Sequence, residues 1–256
     1  MGYDHLILER KGHTGIITIN RPPANTWNLA AMEEFEKILD ELESNRDIRV
    51  IILTGNGEKC FSAGFDVADA ANSKRVGPKG QELWRRVDRF NKPIIAAING
   101  HALGGGLELA MACHFRMIAR SPKIKIGLTE LNLGIIPAWG GTQFLYRLVG
   151  KAKALDMILF GKRIDAQEAL DIGLVHRASP LENLMDDALE FAALLSDRPP
   201  IAVSCVLKAI SAGIYEGIDA GFEVELEGTR TVAESADAVE GFTAFLEKRR
   251  PIFRGE

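Results

Sequence analysis

The stretch Ile94-Ile95-Ala96-Ala97-Ile98-Asn99-Gly100-His101-Ala102-Leu103-Gly104-Gly105-Gly106-Leu107-Glu108-Leu109-Ala110 decides the fold. It opens as an apolar run short enough for a strand buried on both faces. It ends in a helical pattern, and three glycines stand at the change. A helix starting at Gly105 or Gly106 leaves its first N–H groups without intrahelical acceptors. Glycine admits unusual dihedrals and lets a ligand approach the backbone closely. Free donors there can bind an anion, or stabilise an oxygen that gains charge during a reaction. The glycines alone fit equally well a tight strand-to-helix turn with no ligand. A dinucleotide fingerprint fits worse, because Gly104 to Leu109 reads G-G-G-L-E-L and lacks the G-x-G-x-x-G spacing.

The same strand-then-glycine arrangement occurs earlier. Val50-Ile51-Ile52-Leu53-Thr54-Gly55 reads as a buried strand, and Phe61-Ser62-Ala63-Gly64-Phe65-Asp66 follows it. Nearer the N-terminus, Leu6-Ile7-Leu8 and Gly15 to Asn20 are strand-like, with Gly12 and His13 as a turn. Arg21-Pro22-Pro23 ends the second, since proline has no N–H for a ladder. A helix is expected over Leu29–Ser44, with Asn28 as N-cap and Met32, Phe35, Leu39 and Leu42 on its apolar face. Strand and helix thus alternate, which makes the chain α/β.

From Lys151 onward helical patterns dominate, with one short strand expected at Val175-His176-Arg177. The Pro199-Pro200 pair marks a boundary, dividing a core domain, 1–195, from a helical region, 196–256. Asp237 to Glu240 resembles a capping box opening the last helix. In that helix Val239, Phe242 and Leu246 share a face, with Phe245 beside them, and Ile214, Ile218 and Phe222 repeat the spacing earlier. A small helical tail has little core of its own. These stripes are therefore expected to pack on the core domain or on another subunit.

The chain has 256 residues, 46% of them hydrophobic, and a formal net charge of −4. No basic field marks a nucleic-acid binder. Three scattered cysteines, Cys60, Cys113 and Cys205, suit neither a disulfide framework nor a zinc site. No apolar run is long enough to span a bilayer, Met1 to Arg10 reads as an opening strand rather than a signal peptide, and the last three residues are no peroxisomal address. A cytoplasmic protein of a reducing compartment is expected.

Two carboxylates stand beside the glycines. Glu108 falls in the first turn of the helix that follows them. Glu130 lies in Gly127-Leu128-Thr129-Glu130-Leu131-Asn132-Leu133-Gly134. Carboxylates suit proton transfer once burial raises their pKa. Taken singly, Glu108 reads as a surface residue favoured by the helix dipole, and Glu130 as an ordinary loop residue. The dipole predicts that Glu108 ionises easily and so suits a base better than an acid. His101 and His114 read as structural, and Trp27 and Trp84 carry no assigned role. No metal-ligand spacing and no G-x-S-x-G elbow is present.

Over nearly its full length the sequence resembles the enoyl-CoA hydratase/isomerase (crotonase) family. Phe61 to Asp66, Asn99 to Ala110, and Glu130 with Leu133-Gly134-Ile135-Ile136-Pro137-Ala138-Trp139-Gly140-Gly141-Thr142-Gln143 carry the resemblance. It implies a crotonase-like spiral of repeated β-β-α units with a C-terminal helical region. It also implies homotrimers, often paired into hexamers, through that region. The implied activity is that of a hydro-lyase: water adds across the 2,3 double bond of an enoyl-CoA thioester through an enolate. Coenzyme A belongs to the substrate, and no separate cofactor is implied.

By the same resemblance, the backbone N–H groups of Phe65 and Gly105 form the oxyanion hole. Glu108 is the base on water, and Glu130 the proton donor to the α-carbon. Ala24, Ala63, Gly64, Asp66 and Trp139 border the substrate. The sequence departs from the familiar hydratases at Phe65, where a small residue is common, at Thr129, at Ala138-Trp139, and in a slightly longer Glu108-to-Glu130 interval. An isomerase, another acyl-CoA enzyme of this family (decarboxylase or hydrolase), and a non-catalytic RNA-binding relative are the alternatives.

Overall fold

The structure, a computed structural model, describes residues 2–256. β1 (Leu6–Lys11) and β2 (Thr14–Ile19) form an antiparallel hairpin, and α1 (Leu29–Ser44) follows. Asn28 caps α1 as expected, its Oδ1 accepting the Ala31 N–H at 2.9 Å. Met32, Phe35, Leu39 and Leu42 are all buried in the core.

Three turns of a spiral come next, each placing one strand in each of two sheets. The first is β3 (Val50–Gly55), β4 (Cys60–Ser62) and α2 (Ser73–Asp88). The second is β5 (Ile94–Ile98), β6 (His101–Leu103) and α3 (Gly105–Ala112). The third is β7 (Phe115–Arg120), β8 (Ile126–Gly127) and a single 3-10 turn at Glu130–Leu133. The first strands pair in parallel in a six-stranded sheet, and the second strands form a parallel three-stranded sheet, β4-β6-β8. The predicted repeated β-β-α spiral is present. Strands β3 and β5 are buried at every residue, as a parallel sheet covered on both faces requires.

The chain continues through α4 (Gly141–Val149), α5 (Lys151–Leu159) and α6 (Ala166–Asp171) to β9 (Arg177–Pro180), the edge strand beside β7. Then come α7 (Leu184–Ser196), α8 (Pro200–Tyr215), α9 (Ile218–Ala233) and α10 (Ala236–Glu247).

Four local expectations shift. The strand expected at Val175–Arg177 begins only at Arg177, because the parallel register with β7 starts with Met117 opposite Arg177. The last helix is capped by Ser235, which accepts the Ala238 N–H at 3.1 Å. Asp237 lies inside it, buried, and accepts the N–H groups of Arg254 and Gly255 at 2.6 and 2.9 Å, which pins the C-terminal tail. The Ile214–Phe222 stripe is broken at Gly217 (φ 105°), which puts Ile214 on α8 and Ile218 and Phe222 on α9. The helical pattern also stops before the end, at Glu247.

Candidate active site

Every turn of the spiral leaves the three-stranded sheet at the same side, so the loops after β4, β6 and β8 meet there. The loop after β4 is held from below. The Ala63 N–H donates to Ala24 O at 2.9 Å and the Gly64 N–H to Ser62 Oγ at 3.1 Å. Trp27 clamps the next residues: its N–H donates to Gly64 O at 2.8 Å, and its carbonyl accepts the Asp66 N–H at 2.9 Å. Phe65 sits between these bonds, and its own N–H donates to no protein group among the described residues. Gly64 has φ 82°, and a Cβ on it would lie 2.6 Å from Gly105 N, so glycine serves both conformation and contact.

The loop after β6 meets it there. Gly104 turns the chain at φ 53°, and its carbonyl accepts the N–H groups of Leu107 and Glu108 at 2.9 and 3.0 Å. The Gly105 N–H, at the start of α3, donates to no protein group among the described residues. The two unpaired donors therefore stand on adjoining backbone at the wall of one cavity.

That cavity has a volume of about 710 Å³ and is lined by Phe65 and Gly105 together with Glu108 and Glu130. Glu108 is 2% exposed, and its Oε1 accepts the N–H groups of Trp139 and Gly141 at 2.9 and 2.7 Å. The second of these N–H groups opens α4, so one helix carries the carboxylate and the start of another holds it. Burial, with the charge of Glu130 adding, pushes Glu108 up to about 8, against the two N–H bonds that favour the anion. The predicted easy ionisation is thus overturned: the helix dipole acts on Glu108, but loss of water outweighs it. Burial also raises the pKa of Glu130, whose Oε2 is buried without a hydrogen-bond partner.

The remaining expected residues divide. Ala63 and Trp139 line the cavity, while Gly64 lies behind its wall. Asp66 turns away: it pairs with Arg21 at 2.8 Å and caps the 3-10 turn at Val67–Asn72 through the Ala68 N–H. Ala24 contributes only the carbonyl that holds Ala63. Trp139 is 4% exposed and is at once core and wall.

Val67, Leu133, Ile135 and Ile136 complete an apolar wall that the sequence reading missed. They are 52–69% exposed, and such large apolar groups left open at a cavity mouth are the signal that finds them. His101 and His114 lie elsewhere, their Nδ1 atoms accepting the N–H groups of Lys125 and Ile94, both at 3.0 Å. Among the described residues no cluster of His, Cys, Asp or Glu is placed to hold a metal ion.

Two free N–H donors and two buried carboxylates around an apolar cavity can hold an oxygen anion while protons move beside it. The chain matches the enoyl-CoA hydratase/isomerase family over residues 9–256. It belongs to that family. A probable enoyl-CoA hydratase of Bacillus subtilis is 42% identical over 248 residues, covering 94% of this chain and 95% of that protein. The short-chain-enoyl-CoA hydratase of Clostridium acetobutylicum is 38% identical, covering 98% and 97%. Among solved structures, an enoyl-CoA hydratase from Bacillus anthracis superimposes with a TM-score of 0.94 at 40% identity, covering 99% of this enoyl-CoA hydratase/isomerase chain and all of that one. The spiral of this family member is therefore shared along its whole length.

Proposed function

We propose that this chain is an enoyl-CoA hydratase, and that the Phe65 and Gly105 N–H groups, Glu108 and Glu130 are its catalytic parts. The observation that carries the reading is the convergence of both unpaired donors and both carboxylates on one cavity. The names of the relatives support the same reaction.

The two N–H groups hold the thioester oxygen. Glu108 takes a proton from water as the water oxygen bonds to C3, and the 2,3 double bond shifts electrons toward the carbonyl to give the enolate. Glu130 then protonates C2. Glu108 leaves the cycle protonated and Glu130 ionised, and one proton passed from Glu108 to Glu130 restores the start.

Burial raises both carboxyls, and the charge of Glu130 adds to the rise at Glu108. Two N–H bonds on Glu108 Oε1 favour the anion that a base must be, and the unpartnered Glu130 Oε2 is the oxygen free to carry the proton to be given. With Glu130 neutral, the charge that helps to raise Glu108 is removed.

The apolar wall carries no cationic side chain, which suits an uncharged acyl group. The free thiols of Cys60, Cys113 and Cys205 suit a reducing compartment such as the cytoplasm. No helix among the described residues is long and apolar enough to cross a membrane. Residues 196–256 are assigned to assembly into a trimer or a pair of trimers. Val206, Ile210, Phe222, Phe242 and Phe245 are 56–80% exposed on α8, α9 and α10, more apolar surface than a monomer normally leaves in water.

The decisive experiment mixes the protein with crotonyl-CoA and follows absorbance of the conjugated thioester. Loss of that absorbance with formation of 3-hydroxybutyryl-CoA is expected. An unchanged spectrum refutes the hydratase reading, and movement of the double bond without hydration assigns the site to isomerisation.

A further inference from the structure

Trp84 lies on α2, outside the cavity lining, and is fully buried. Its indole N–H donates to Gly105 O at 3.0 Å. Gly105 is the first residue of α3, and its own N–H is one of the two unpaired donors. An indole has one N–H and no acceptor, so a buried tryptophan gains by directing that N–H at a fixed carbonyl.

Gly105 is packed closely from the other side as well. A Cβ on Gly105 would lie 2.2 Å from Cζ3 of Trp139, so that indole rests directly on the glycine. Trp84 meets Trp139 edge-on with ring centroids 5.3 Å apart, and Trp139 meets the Phe65 ring edge-on at 6.4 Å. Trp84 also meets Trp27 at 5.1 Å, and it is the Trp27 backbone that clamps the residues on either side of Phe65. All three tryptophans of the chain thus belong to one packed group that touches both donor residues, yet only one indole hydrogen bond reaches the backbone of either donor.

We propose that Trp84 is a positioning residue that sets the Gly105 N–H in the oxyanion hole by anchoring the Gly105 carbonyl. The inference rests on the assignment of Phe65 and Gly105 as oxyanion donors. Hydrogen bonds to a developing oxyanion depend on geometry, and a small displacement of a donor weakens them far more than it weakens ground-state binding. Trp84 therefore acts on turnover and leaves substrate binding nearly alone.

The test compares the full-length protein with Trp84→Phe, which keeps an aromatic ring and deletes the N–H. A second replacement, 3-benzothienylalanine at position 84, keeps the bicyclic ring, deletes only the N–H, and serves if the first fails to fold. The probe is butyryl-CoA carrying ¹³C at the thioester carbonyl, which cannot be hydrated. Its C=O stretch falls in frequency when donors polarise the oxygen, and infrared difference spectra read that fall. Wild-type protein is expected to lower the stretch, and either replacement to lose at least half of that lowering. With crotonyl-CoA, kcat is expected to drop about tenfold with KM close to wild type.

Leu39→Ala, in α1 and away from the cavity, is the control: it lowers the melting temperature and leaves the infrared shift unchanged. A folded position-84 variant with the wild-type shift and wild-type kcat overturns the role of Trp84. A wild-type protein that does not lower the stretch overturns the oxyanion hole and this inference together. A protein that lowers the stretch but does not hydrate crotonyl-CoA overturns the hydratase reading alone, and the shift in the variants still decides for or against Trp84.

Discussion

Glu108→Gln is expected to make the protein much slower and, at the same time, more stable. The side chains are nearly isosteric, and the amide oxygen can still accept the Trp139 and Gly141 N–H groups that Oε1 now accepts at 2.9 and 2.7 Å. What disappears is the carboxylate. A general acid–base group is worth about 10²–10⁴ in rate, or roughly 3–5 kcal/mol, and kcat is expected to fall by that factor. The stability effect has the opposite sign. The pKa of Glu108 is raised from 4.5 to about 8, so folding holds its proton more tightly than the unfolded chain does. Stability from such a group is fully present below pH 4.5 and is lost as pH rises through about 8. At about 1.36 kcal/mol per pKa unit the full loss approaches 5 kcal/mol, less the part caused by Glu130 when that residue keeps its proton. Glutamine has no such loss. The melting temperature of the variant should therefore exceed that of wild type by a margin that widens from about pH 5 to pH 8 and then levels, as read by thermal unfolding across that range. A variant of equal or lower stability at pH 8.5 would refute the claim that the ionised Glu108 is a burden on the fold.

Glu130→Gln should lower crotonyl-CoA turnover by a similar factor of about 10²–10⁴, with little change in affinity for a saturated acyl-CoA measured by calorimetry. Gly64→Ala should reduce kcat sharply while circular dichroism stays native, because the residue has φ 82° and its new methyl would lie 2.6 Å from Gly105 N. Arg116→Leu should destabilise the fold by about 3 kcal/mol or more in denaturant titration, since the buried guanidinium donates to the carbonyls of Cys113, Leu174 and Met111 at 2.5, 2.8 and 3.2 Å. Sedimentation at micromolar concentration should find trimers or hexamers, and a fully active monomer would remove the assembly role from residues 196–256.

The alternation of strand and helix was legible because the strands are short apolar runs followed by glycine, whereas the spiral came only from the family resemblance. Val50–Gly55 and Ile94–Ile98 have no polar face, and only a parallel sheet covered on both sides accommodates such strands. Hidden from a periodicity reading was the second sheet: β4, β6 and β8 are two or three residues long, and their pairing is set by the turns that precede them. The last helix shows a different limit. Asp237 has the sequence signature of a cap, but Ser235 stands two residues earlier with its own hydroxyl available. The carboxylate is drawn instead to two N–H groups of the tail. Local chemistry names good caps, and tertiary competition chooses among them.

Phe65, Gly105, Glu108 and Glu130 were legible as residues that meet, Ala24 and Asp66 were wrongly placed at the cavity, and the ionisation of Glu108 was misread. A glutamate in the first turn of a helix is normally stabilised as an anion, since the helix end usually faces water. Here α3 is buried at every residue from Gly105 to Ala112, so the helix end delivers its carboxylate into a place where ionisation is penalised. The same burial gives the proposed reaction its reagents. A fully solvated glutamate is ionised near neutral pH and too weak a base to take a proton from water, and a second one cannot keep a proton to give. Excluding water raises both pKa values, and the two groups differ in their surroundings: Glu108 Oε1 accepts two N–H groups, whereas Glu130 Oε2 is buried with no partner. In the proposed reaction the base is set apart by backbone donors at Trp139 and Gly141, which lie some thirty residues beyond Glu108 and whose approach no local pattern around Glu108 reveals.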